Sequence, residues 1–173
     1  MSTNILFAGI TAAMIMTFIA MVMLGIPIGT PIKITVDVQN DMEGVNFNDH
    51  RTVGQTFKEP ISIVNDVKFY QIGGREYMIT AVLYQDGNEL ARTATRGRRN
   101  SWIIFNFGGV KVEPNKEIWI KLIGETGENC AVAKTPKDAY KGGYATLEIQ
   151  STSATNPLKY KTSGDLIFEL NGG

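Results

Sequence analysis

The chain has 173 residues, room for one domain of ordinary size and one further element. Its 17 basic and 17 acidic side chains cancel, which argues against a general nucleic-acid binder, because affinity for duplexes comes largely from Lys and Arg neutralising phosphates. A single cysteine, Cys130, excludes an intramolecular disulfide and reads as a buried or idle thiol.

Every charged side chain lies at or after Lys33, so the first 32 positions carry none. From Ile5 to Ile28 the only polar side chains are Thr11 and Thr17. About 22 helical residues span roughly 33 Å, the thickness of a bilayer's hydrocarbon core. Residues 1–30 are therefore expected to form a single transmembrane α-helix, ended by Pro27 and Pro31. A cleaved secretory signal is the rival. No Lys or Arg precedes the run, it exceeds the usual core of about 7–15 residues, and no clear small-x-small cleavage site follows it, so an uncleaved anchor is the preferred reading. Gly9, Ala13, Thr17 and Ala20 put small side chains along one helix face, which suits close packing against another helix in lipid; the alternative is that Ala and Gly are simply common in membrane spans.

After the anchor the period changes to two. In Pro31–Gln39, Ile32, Ile34, Val36 and Val38 alternate with Lys33, Thr35, Asp37 and Gln39, the pattern of a half-buried strand. Further strands are expected over Ile61–Ile72, Tyr77–Gln85, Glu89–Thr95, Trp102–Phe107, Glu117–Ile123, Asn129–Lys134, Tyr144–Gln150 and Asp165–Leu170, each bounded by turn residues. Asp86-Gly87 signals a tight hairpin, because a primed turn needs the positive φ that Gly accepts. Nine strands without a helix between them mean a sandwich or barrel over residues 31–173.

The pieces Gln55–Phe57, Ala81–Ala91, Ser101–Phe107, Val110–Leu122, Asp138–Ala145 and Gly164–Leu170 follow one another in a succession that resembles the jelly-roll β-sandwich domains, similar to carbohydrate-binding modules, of bacterial and archaeal surface proteins. The resemblance covers about Val53 to Leu170 and implies the fold more than a function. It also brings calcium into view, since such domains often hold a structural ion. Asn40, Asp41, Glu43, Asn46, Asn48 and Asp49 supply the oxygen donors a hard cation takes, although Asn and Asp are also ordinary turn formers. Pilin-like filament proteins of archaea are similar in outline, but this chain lacks the basic residue before a processing site.

No catalytic set stands out. His50, the only imidazole, lies in an Asn-Asp-His-Arg loop, and no Asp or Glu sits in an apolar run that would raise its pKa. Arg92, Arg96, Arg98 and Arg99 are the densest charge. They would either clamp phosphate, sulfate or carboxylate groups or keep a strand edge from pairing wrongly. Period two puts Ile103, Phe105 and Phe107 inward and Trp102 outward; likewise Ile118, Ile120 and Leu122 inward, with Trp119 beside Lys121 on the polar side. Trp102, Trp119 and Tyr144 would stack on a sugar or cover a neighbouring strand.

Two functions follow as expectations. The first is a structural subunit of a membrane-associated surface or virion assembly, with membrane lipid and further subunits, its own copies included, as partners. The second is a tethered carbohydrate- or ligand-binding module using Trp102, Trp119, Tyr144 or the arginines. Neither needs a cofactor.

Overall fold

Alternating apolar residues bounded by turns build two antiparallel sheets with one core between them, an all-β sandwich-like fold compatible with a jelly roll. The computed structural model describes residues 31–37, 41–73, 75–150 and 158–173. The expected membrane helix and its packing positions Gly9, Ala13, Thr17 and Ala20 lie outside the described residues, as does Val38. Among the described residues, no helix is long and apolar enough to cross a membrane.

Twelve strands occur there: β1 (Ile32–Val36), β2 (Glu43–Phe47), β3 (Arg51–Phe57), β4 (Ile63–Gln71), β5 (Met78–Gln85), β6 (Asn88–Arg96), β7 (Ser101–Lys111), β8 (Ile118–Gly124), β9 (Cys130–Lys134), β10 (Ala145–Ile149), β11 (Leu158–Lys161) and β12 (Phe168–Gly172). All nine expected strands are present; β2, β3 and β11 are additions. One sheet runs β1-β12-β4-β9-β2, with β7 also paired to β4. The other runs β11-β10-β3-β8-β5-β6. The β5–β6 hairpin turns at Asp86 and Gly87, whose φ values of 51° and 80° are those of the expected primed turn.

The core takes Phe69, Ile103 and Phe105 from the first sheet and Val53, Ile79, Leu83, Ile120 and Leu122 from the second. Burying such side chains is worth about 1.5–3 kcal/mol each before the cost of ordering the chain. Cys130 is fully buried in this layer, and burial pushes its thiol pKa up, so it is held as an unreactive thiol.

Polar groups also hold the fold: Asp165 is only 1% exposed. Its Oδ1 accepts from Gln55 Nε2 at 3.0 Å, while Oδ2 accepts from the backbone N–H of Ala139 at 2.9 Å and Tyr140 at 2.8 Å. Gln55 Oε1 in turn accepts from Leu166 N–H at 3.0 Å. This network fastens β3 to the chain entering β12 and to the loop after β9. Above it, Phe57, Tyr140 and Phe168 pack as a trio of rings with centroids 4.8–5.8 Å apart.

β1 is tied in by charge as well as by its ladder. Glu169 on β12 accepts from Lys33 of β1 at 2.8 Å and Lys68 of β4 at 2.5 Å, and these two ammonium groups pull its pKa down from 4.5 to about 2. A depressed folded-state pKa gives stability that is fully present above the unfolded value of 4.5 and is lost as pH falls towards 2. Lys33 is 59% exposed, so solvent screening limits the gain to about 1 kcal/mol. Thermal unfolding of Glu169→Gln is expected to show a lower midpoint than the parent at pH 7, with the gap closing by pH 2.5. A gap independent of pH would contradict this.

Candidate functional site

On a sheet, directly paired residues point to the same side, so the registers define the outer face of the six-stranded sheet through β3. Trp119 pairs with Thr56 on one side and Tyr84 on the other, and Thr56 lies opposite Tyr144. The next outward row runs Thr146, Gly54, Lys121, Val82 and Arg92. β3 contributes only small outward residues, Thr52, Gly54 and Thr56, so its strand forms the floor of a shallow trough.

Trp119 lies in that trough. A Cβ on Gly54 would run into its indole Nε1, which shows how closely the ring covers that glycine. The indole N–H donates to Thr146 Oγ1 at 2.9 Å. Tyr84 stacks beside the ring, with centroids 5.1 Å apart and planes 29° from parallel. The Lys159 ammonium stands 3.9 Å from the ring centroid and Lys121 stands 5.5 Å away. Lys161 sits likewise, 4.7 Å from the Tyr144 ring. Strand β11 thus lays a lysine over each aromatic candidate of this face.

Beside Trp119 opens a cleft of about 360 Å³, lined among others by Tyr84, Asp86, Glu117, Glu148 and Lys159. The Glu148 carboxylate is in contact with Lys121 and accepts from Thr52 Oγ1 at 3.2 Å; Asp86 pairs with Lys116 at 3.1 Å. Burial raises the Tyr84 pKa, with Glu89 adding to it. Burial and then the neighbouring Glu117 charge raise that of Tyr144. Both phenols stay protonated at neutral pH. The cleft offers donors and acceptors of both signs, suited to holding a polar group rather than to activating a nucleophile.

The sequence placed Trp119 and Lys121 correctly on the polar side of β8, and Ile118, Ile120 and Leu122 inward. It likewise placed Trp102 outward on β7, but on the other sheet, where its ring meets Tyr70 edge-on at 5.6 Å. The arginines are spread rather than gathered. Arg92 is held by Glu89 through two hydrogen bonds of 3.0 and 2.9 Å, Arg96 ends β6, and Arg98 and Arg99 form the exposed turn into β7. The candidate residues therefore occupy three places: the trough, the β6 edge with its turn, and the outer face of the opposite sheet.

The suggested calcium donors are also dispersed. Glu43 and Asn46 lie on β2, Glu43 approaches Lys134 at 3.4 Å, and Asn48 Oδ1 accepts from the backbone N–H groups of His50 and Arg51. Asn40 lies outside the described residues. Among the described residues, no three His, Cys, Asp or Glu side chains gather as metal ligands. Sequence reasoning missed Gly54, Tyr84, Thr146 and Lys159 as parts of the trough. Only Tyr84, an outward aromatic next to a hairpin turn, carried a signal. No protein-family model matches the chain, and no curated protein sequence matches it.

Proposed function

We propose that the chain is a non-enzymatic structural subunit of a membrane-associated surface or virion assembly. In this reading the sandwich is a jelly roll and residues 1–30 are a single-pass anchor, with the β-domain extracytoplasmic or on the virion exterior. The observation that carries it is the junction between them: the charge-free run extends to Ile32, the first residue of β1, leaving no charged spacer. A module that searches for ligands from a membrane gains reach from a flexible linker. A lattice subunit gains nothing from one, because slack there has to be lost on assembly. The lysines over Trp119 and Tyr144 also support it, since they occupy ring area that a sugar would need.

A second reading, a tethered glycan- or ligand-binding module, is favoured by the cleft beside Trp119 and Tyr84. Alkaline washing of native membranes, followed by sizing in mild detergent and a glycan array, separates the two. The assembly reading expects retention in the membrane, a multimer on sizing and an empty array. A monomer with saturable sugar binding would overturn it.

A further inference from the structure

Five strands end the two sheets among the described residues: β1, β2, β6, β7 and β11. Three of them carry charge where a neighbouring strand would pair: Lys33 on β1, Arg92 and Arg96 on β6, and Lys159 and Lys161 on β11; β2 has only 5 residues, and the backbone of its one charged residue, Glu43, is turned to Lys134 of β9. β7 is different. It is the longest, and from Ser101 to Val110 it has no charged side chain.

The ladders fix which backbone groups face the open edges. Tyr70 and Ile72 of the β4 segment donate to Ile167 and Ala131, on the side of β12 and β9. Val67, Phe69 and Gln71 therefore face β7, where they pair with Phe105, Ile103 and Ser101. The N–H and C=O groups of Trp102, Ile104 and Asn106 point the other way, out of the sheet. On β6 the donation from Gly97 to Tyr77 sets the opposite edge in the same manner, and the outward positions are Arg92, Ala94 and Arg96. Outward arginines blunt one edge, while the adjoining edge of the other sheet presents Trp102, Asn106 and Ile104, which is 53% exposed.

We infer that β7 is a homotypic docking edge, at which a second copy of this chain pairs antiparallel and continues the sheet. The occupant follows from self-complementarity. Outward positions pair only with outward positions, which places a two-fold axis on a residue, and the register that uses all three outward residues, Trp102, Ile104 and Asn106, centres it on Ile104. That register sets Ile104 on its own copy, Trp102 opposite the second copy's Asn106, Ile103 opposite the second copy's Phe105 and Ser101 opposite the second copy's Phe107. No like charges meet, and core-facing residues stay on the core side. The inference rests on the reading that copies assemble, and it names the surface by which they do so.

The test uses the full chain in mild detergent. Cα atoms of the Ile104 pair would be about 5.5 Å apart, within disulfide reach. Those of Asn106 and its own copy would be about 13 Å apart, outside it. On mild oxidation Ile104→Cys should give at least a five-fold larger disulfide-dimer fraction than Asn106→Cys; buried Cys130 does not compete. Equal crosslinking at both positions, or none at either, overturns the inference. Ile104→Glu places two carboxylates at the axis and should lower the oligomer mass without lowering the thermal midpoint. An unchanged mass overturns it too. If Gly9→Leu with Ala13→Leu dissolves an oligomer that Ile104→Glu leaves intact, the β7 edge fails while assembly through the anchor stands. A monomer in every case removes both.

Discussion

Asp165→Ala is expected to destabilise the sandwich by about 3–5 kcal/mol, a large share of the roughly 5–15 kcal/mol that keeps a domain folded. The carboxylate is the acceptor for three donors, the buried Gln55 Nε2 and Tyr140 N–H and the part-buried N–H of Ala139. Alanine removes the acceptor of both N–H groups and leaves Gln55 Nε2 only its bond to the Thr56 carbonyl at 3.3 Å. The loss extends beyond one residue, because Gln55 also accepts from Leu166 N–H and holds the chain entering β12. With a urea slope of about 2 kcal/mol/M, the midpoint should fall by about 1.5–2.5 M. Asp165→Asn keeps one acceptor oxygen and the shape, so it should cost about 1–2 kcal/mol. Equal and small costs for both substitutions would show that the carboxylate does not hold these segments together.

Gly54→Ala is expected to cost about 2–3 kcal/mol and to move Trp119. The added Cβ would lie 2.6 Å from the Ile120 carbonyl oxygen, 3.1 Å from Thr146 Oγ1 and against the indole Nε1 itself. Backbone cannot retreat in a central strand paired on both sides, so the indole has to lift and break its hydrogen bond to Thr146. In a Trp102→Phe background, where Trp119 is the only tryptophan, its fluorescence under tryptophan-selective excitation should shift to the red as the ring meets water. Unchanged emission with unchanged stability would show that the ring does not lie over Gly54.

These two residues also mark where sequence reasoning stopped. Nine strands were legible because one face of each is apolar and the other polar, as in Ile118–Gly124, where buried and half-buried residues alternate. β3 was not, because six of its seven residues are buried on both faces, and Thr52, Gln55 and Thr56 are polar. A strand with small polar residues beneath Trp119 on one side and a buried amide network on the other has no alternation to detect. β2 carries little strand signal among its turn-forming Asn and Asp residues, since only Val45 and Phe47 mark its inner face. β11 has four residues, all exposed, and was invisible for that reason. Its lysines decide what the face of Trp119 and Tyr144 presents. The outward direction of Trp119 could be read from a period of two, but its capping by Lys159 depends on pairing through β10, which no local pattern encodes.

The arginine cluster shows the same division. Its density was plain in the sequence, while its meaning depended on which positions face the open edge. Arg92 and Arg96 fall there, four residues apart and about 13 Å along the strand, with Arg92 already engaged by Glu89. That arrangement fits edge protection better than a clamp for one anion.

Electron cryomicroscopy of the native membranes or particles tests the account most directly. Copies of the chain should recur at a fixed spacing in the membrane plane, with the sandwich directly above the bilayer and neighbouring β7 strands meeting about Ile104. Isolated copies scattered without contact, or the chain found only in the aqueous fraction, would contradict it.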